Sequence, residues 1–182
     1  MSLAQTLKSR SNQAQQEALV ELVIIQENVQ AEVMESLNMT GLVLSEVKIT
    51  SCTFNNVDFG GDQFYSCNIH ETLFNTCDFT NSDLSDVVFT GVTFIDCTFN
   101  KCKFNGCSFD NCTFSDSNLS WTYHSLSKFT NGKVTNSYFN NAIISESTFL
   151  GTQLDNNQFL DAKIVKSKVD GHDLSAGENG IA

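Results

Sequence analysis

The chain has 182 residues, 21 of them acidic against 10 basic, and a formal net charge of −11, so it would repel a phosphate backbone instead of neutralising it. It contains no proline, fifteen phenylalanines and seven cysteines, and the odd cysteine number excludes complete pairing within one chain. The longest apolar run, Leu22-Val-Ile-Ile25, is far short of the roughly 18 residues of a membrane span and no signal peptide is visible, so a soluble, cytoplasmic protein with no membrane contact is expected.

Residues 2–37 lack Gly and Pro and are rich in Ala, Gln, Glu, Leu and Val, which predicts an N-terminal amphipathic helix over residues 1–38. Its apolar stripe is Leu3, Leu7, Ala14, Ala18, Leu22, Ile25, Val29 and Val33, widened near the middle by Val20, Val23 and Ile24. At about 1.5 Å per residue such a helix is about 50 Å long. Its apolar side is expected to cap the domain that follows or to associate with a second copy.

A different period governs residues 39–174. In steps of five from Met39 stand Leu44, Ile49, Phe54, Phe59, Phe64, Ile69, Phe74, Phe79, Leu84, Phe89, Phe94, Phe99, Phe104, Phe109, Phe114 and Leu119. The series resumes after His124 with Phe129 and runs on to Leu174. Two residues before each large residue stands a small one: Cys52, Val57, Cys67, Thr72, Cys77, Ser82, Val87, Val92, Cys97, Cys102, Cys107, Cys112 and onward. Side chains two apart on a strand share a face, so the large and small residues point inward together. The Asn, Asp, Gly, Ser and Thr crowded between them then turn the chain. A helix would spread a period of five around its whole circumference, which leaves a coil of short straight segments whose turns stack.

These motifs resemble the pentapeptide-repeat family, whose signature is any residue, a polar residue, a small residue, a polar residue, then Leu or Phe. The match runs from 39 to 174 without an insertion. The resemblance implies an all-β solenoid, a right-handed quadrilateral β-helix with four pentapeptides in each coil. About seven coils would make a rod about 30 to 35 Å long. Residues 175–182 are expected to form a flexible tail.

In that register Cys97, Cys102, Cys107 and Cys112 are four small core residues of one coil. No histidine lies near enough to complete a zinc pattern, so no metal, cofactor or catalytic residue is expected. Parallel side chains one coil apart leave Cys77 and Cys97 as thiols. His124 at a large inward position is expected to be hydrogen-bonded inside or swung out at a bulge. Asp62 at a small one is expected to bond backbone amides at a corner or turn outward. Asn157 and His172 break the same small column.

Function must then lie on outward residues. Asp58, Asp78, Asp83, Asp86, Asp96 and Asp116 form the candidate acidic face, and no Lys or Arg lies between Ser51 and Asn100. Lys128, Lys133, Lys163, Lys166 and Lys168 crowd the last third, so the rod should carry a charge dipole along its axis. Trp121, Tyr123, Leu126, Tyr138, Ile143 and Leu160 form a candidate apolar interface. The expected function is a non-enzymatic protein–protein interaction or scaffold module, with a protein partner or a second copy of itself and without direct nucleic-acid binding. The resemblance implies an alternative, a DNA-mimicking inhibitor or protector of the type II topoisomerase gyrase. Family members of that kind dimerise through a C-terminal helical module, whereas the helix expected here is N-terminal. A secreted bacterial effector built on a repeat scaffold is a further alternative.

Overall fold

Every fifth residue turns a corner. In the computed structural model, which describes residues 5, 6, 8, 9, 22–170, 172, 173, 176, 177, 180 and 181, each fifth residue from Gln26 to Lys166 has a left-handed φ between 46° and 76°. Gly41, Gly61, Gly91, Gly106 and Gly151 fill five of these corners and Asn or Asp many of the rest, the residue types that reach this region at least cost. Between corners run strands of about three residues whose central side chain points inward, as Phe54 does between Thr53 and Asn55.

Four corners close a coil of 20 residues, and each coil pairs in parallel register with the next: Phe54 opposite Phe74, Phe89 opposite Phe109, Leu44 opposite Phe64. The first face carries Leu22–Ile25, Leu42–Ser45 and Gln63–Tyr65, continues by single bridges through Asp83 and Lys103, and ends with Tyr123–Ser125, Ile143–Ser145 and Lys163–Val165. The second face begins at Asn28–Gln30 and the third at Val33–Glu35. Single bridges through Asn38, Asp58, Asp78, Thr98, Asn118, Tyr138 and Gln158 make the fourth. The result is an all-β solenoid of about seven coils.

Inside, large residues stack at the strand spacing. The Phe74–Phe94 and Phe94–Phe114 ring centroids lie 5.1 and 4.7 Å apart and nearly parallel, while Phe94 meets Phe99 of the next face edge-on at 5.2 Å and 81°. The rings therefore interlock along the axis and across it, in geometries that aromatic quadrupoles favour.

The small inward residues complete the backbone's hydrogen bonding. Thiols of Cys67, Cys77, Cys97, Cys102 and Cys107 and hydroxyls of Ser82 and Ser167 donate to carbonyls of the preceding coil, as Cys97 Sγ does to Phe74 O at 3.4 Å. Side-chain oxygens of Thr72, Ser117, Ser137 and Ser167 accept amides 20 residues earlier. Asp62 and Asn157 do the same within the core, Asp62 Oδ1 accepting Leu42 N–H at 2.8 Å and Asn157 Oδ1 accepting Ser137 N–H at 2.9 Å. Each satisfies a backbone group that water cannot reach.

The structure corrects the N-terminal expectation. Residues 22–38 are not helix: they form Leu22–Ile25, Asn28–Gln30 and Val33–Glu35, a further coil below Met39. Ile24, Val29, Met34 and Met39 continue the period-five ladder inward and are buried, whereas Ile25 and Val33 of the supposed helical stripe are 58% and 54% exposed. Four inward residues stacking on an existing core bury more than a lone helical stripe, so tertiary packing overrides helix propensity here. Helical backbone is present at Gln5, Thr6, Lys8 and Ser9, and Lys8 Nζ meets Glu32 Oε2 of the first coil at 3.2 Å. Leu3, Leu7, Ala14, Ala18 and Val20 lie outside the described residues. At the other end Lys168–Val169 pairs antiparallel with His172–Asp173, and the expected tail contains the antiparallel pair Ala176–Gly177 and Gly180–Ile181. Leu174 lies outside the described residues.

Gly132 occupies a small inward position beside a shallow dent of about 230 Å³ bordered by Asn111, Cys112 and Gly151. A Cβ there would sit 2.6 Å from the Cys112 carbonyl oxygen, a backbone atom that cannot swing aside. Gly132→Ala is therefore expected to destabilise the rod by about 1–3 kcal/mol, read as a lowered urea midpoint. An unchanged midpoint would show that the corner yields freely.

Candidate interaction surfaces

The cysteine side chains point into the core. All seven are free and buried. Burial pushes the Cys67 and Cys112 thiols up to about 11 and the Cys107 thiol up to about 12, against the thiolate form that nucleophilic or metal chemistry needs. Among the described residues no group of three His, Cys, Asp or Glu is placed to hold a metal, and no helix is long and apolar enough to cross a membrane.

His124 stays inside the core. Its ring stacks on Phe104 with centroids 4.9 Å apart, and Nε2 lies 3.0 Å from Thr122 Oγ1. Because that hydroxyl donates to Leu119 O, it accepts from the ring, which makes Nε2 the protonated nitrogen and leaves Nδ1 buried without a partner. Burial lowers the imidazole to about 3, so the residue is neutral and acts as an aromatic core side chain.

The candidate acidic residues do not share one face. Asp58 and Asp78 lie on the fourth face, and Asp96 and Asp116 on the corner it shares with the third, so these four make one continuous strip. Asp83 and Asp86 belong to the first face and its far corner. Asp58 Oδ1 accepts Gly60 N–H and Asp78 Oδ1 accepts Thr80 N–H, each at 2.8 Å. Asn38 and Asn118 close the same turn in the same column. The turn thus needs only an Asx oxygen, and the negative charge on Asp58 and Asp78 is additional to it. Partial burial pushes the Asp83 carboxyl up, but hydrogen bonds from the Ser85 hydroxyl and amide and the Lys103 ammonium, 3.2 Å away, hold it below the usual carboxylate range.

All six candidate apolar residues are exposed. Tyr123 and Ile143 are adjacent outward residues of the first face, and Trp121 and Leu126 stand on its two bounding corners. Leu160 precedes the Trp121 corner two coils further on, and Tyr138 lies on the fourth face beyond it. Trp121 and Leu126 have φ of 63° and 58° and are 51% and 65% exposed, bulky apolar side chains on corners where the adjoining coils use Lys101 and Asn141, or Gly106 and Glu146. Left-handed φ costs such residues about 1–2 kcal/mol, and they contribute no core in return. Reading the sequence missed Val23, Ile25, Val43 and Tyr65, which place a second apolar region at the other end of the first face. The continuation of the ladder through Ile24, Val29 and Met34 was the signal that could have revealed it.

A coil of four pentapeptides with Phe columns inside and polar corners outside defines a quadrilateral β-solenoid. Two overlapping segments, residues 47–122 and 82–159, match the family described as "Pentapeptide repeat region"; together they span more than half of the chain, which belongs to the pentapeptide-repeat family. No curated protein matches it in sequence. Among solved structures it is similar to a trypsin-treated form of QnrB1, a plasmid-mediated fluoroquinolone resistance protein, at 13% identity and TM-score 0.42 over 79% of this chain and 90% of that one. A pentapeptide repeat protein of the Arabidopsis thaliana thylakoid lumen aligns at 22% identity and TM-score 0.38, over 47% of this chain and 56% of that one. HetL, involved in heterocyst differentiation regulation in the cyanobacterium Nostoc, aligns at 11% identity and TM-score 0.29, over 90% and 94%.

Proposed function

We propose that this protein is a non-enzymatic interaction module, a rigid rod whose outward columns bind protein partners. The observation that carries this reading is the segregation of its residues: inward positions are consumed by packing and backbone hydrogen bonding, and charge is arranged in strips along the outside. The strip Asp58, Asp78, Asp96 and Asp116 suits a cationic protein surface. Asn can replace each of these residues without disturbing the backbone, because it closes the same Asx turn at 58 and 78 and enters the left-handed region readily at 96 and 116, where φ is 52° and 54°. A variant with all four changed to Asn should fold with a melting temperature close to that of the wild type and lose a salt-sensitive, basic partner that the immobilised wild-type chain captures. Equal capture by both proteins would refute the acidic strip as the binding surface.

The acidic strip also favours a second reading, a rod that takes the place of DNA on gyrase. A supercoiling assay tests it: inhibition or protection that the four-Asn variant lacks would support it, and no effect of the wild type at micromolar concentration would dismiss it.

A further inference from the structure

We propose that two copies of this chain pair antiparallel, first face against first face, with a twofold axis between the Asp83 and Lys103 coils; this rests on the reading of the rod as an interaction module. The outward residues of that face form one column running Val23, Val43, Gln63, Asp83, Lys103, Tyr123, Ile143, Lys163 and a second running Ile25, Ser45, Tyr65, Ser85, Asn105, Ser125, Ser145, Val165. The first is apolar at Val23 and Val43 and again at Tyr123 and Ile143, with one acid beside one base at its centre and Lys163, which the pairing sets opposite Val23, at its far end.

Reversing the face about that centre sets each column on its own image. Asp83 comes opposite Lys103 of the second copy and Lys103 opposite Asp83, so the central charges match twice. Val43 meets Ile143, Ile25 meets Val165, and Tyr123 covers Gln63. Trp121 falls on Gly61, whose Cβ position has nothing within 4 Å and therefore leaves room for an indole. Among the described residues the like-signed pair is Glu46 opposite Glu146, on the rim, where Gln26 Nε2 already donates to Glu46 at 2.8 Å and Lys166 stands 3.8 Å from Glu146. On the second face the same reversal sets Lys48 on Thr148 and Lys128 on Asn68, with neither charge pairing nor apolar contact.

Burial in this pair also gives a reason for the bulky left-handed corners. Alone, Trp121 and Leu126 strain the backbone and expose apolar surface; in the pair their side chains leave water. At about 4.8 Å per coil and about 15 Å across, the face offers about 500 Å² per copy, or about 1,000 Å² in all, the size of a specific but reversible contact.

Sedimentation of the full chain from about 1 to 200 μM should show a monomer–dimer equilibrium with a dissociation constant on the order of 10 μM. Asp83→Lys and Lys103→Asp should each be monomeric alone, because like charges then meet across the axis, and an equimolar mixture should dimerise, because the charges are again opposite between copies. Should Asp83→Lys fail to fold, Asp83→Asn keeps the turn to Ser85 and should weaken the dimer about tenfold. Trp121→Asn should melt higher than the wild type while also losing about tenfold in dimer affinity. A monomer at every concentration, or a dimer indifferent to the charge changes, overturns the self-pairing. The capture experiment with the four-Asn variant reads a different surface, so either proposal can fail while the other stands.

Discussion

Phe94→Ala is expected to lower the unfolding free energy by about 3–5 kcal/mol, the range for truncating a fully buried aromatic residue. Phe94 is fully buried, stacks on Phe74 and Phe114, and meets Phe79, Phe89 and Phe99 edge-on at 6.2, 5.7 and 5.2 Å. Removing it opens a void in the middle of the rod, where rings above and below are held by their own strands and cannot collapse into the gap. The measurement is urea unfolding followed by circular dichroism, with Phe159→Ala as the comparison. Among the described residues Phe159 stacks on one ring only, Phe139 at 4.8 Å, so its loss should cost less. Equal losses at the two sites would contradict the interlocked central column.

Acid should unfold the rod through His124. The folded imidazole is held near 3 by burial, whereas an unfolded one titrates near 6.5, so the unfolded chain binds the extra proton. Stability is therefore complete above the unfolded value and is lost as pH falls from about 6.5 towards 3, amounting to about 3 kcal/mol at pH 4. Carboxylates titrate in part of the same range, so the informative quantity is the difference from His124→Phe. That variant extends the ring stack on Phe104 and leaves the Thr122 hydroxyl donating to Leu119 O. The wild type should fall behind the variant progressively as pH drops from about 6.5, by about 1.4 kcal/mol per unit. A difference that does not change with pH would show that the buried imidazole takes up its proton in the folded state.

Legibility differed from one part of the chain to another for physical reasons. The period of five between Met39 and Val169 was readable because each inward residue makes the same packing choice as the residue 20 positions away. Four pentapeptides to a coil stack residues 20 apart, and the structure has that spacing in the columns Phe54–Phe74–Phe94–Phe114 and Leu84–Phe104–His124–Ile144. Residues 22–38 were misread because Ala, Gln and Glu favour helix and their apolar residues fit two periods at once. Helix propensity won in the sequence, whereas a waiting coil edge won in the fold. Among the acidic residues, the split between the Asp58–Asp116 strip and the Asp83–Lys103 pair depends on which face each occupies. That assignment required the coil register.

By itself the sequence determined the period, the alternation of large and small core residues, and hence the class of fold, because a repeated local rule needs no distant information. The tertiary structure alone decided where the array begins, how Cys, Ser, Asp62 and Asn157 satisfy carbonyls and amides one coil away, and that Val23, Ile25, Tyr123 and Ile143 share a face with Asp83 and Lys103. These facts depend on atoms about 20 residues apart being brought within hydrogen-bonding or van der Waals reach, and only the closed coil does that.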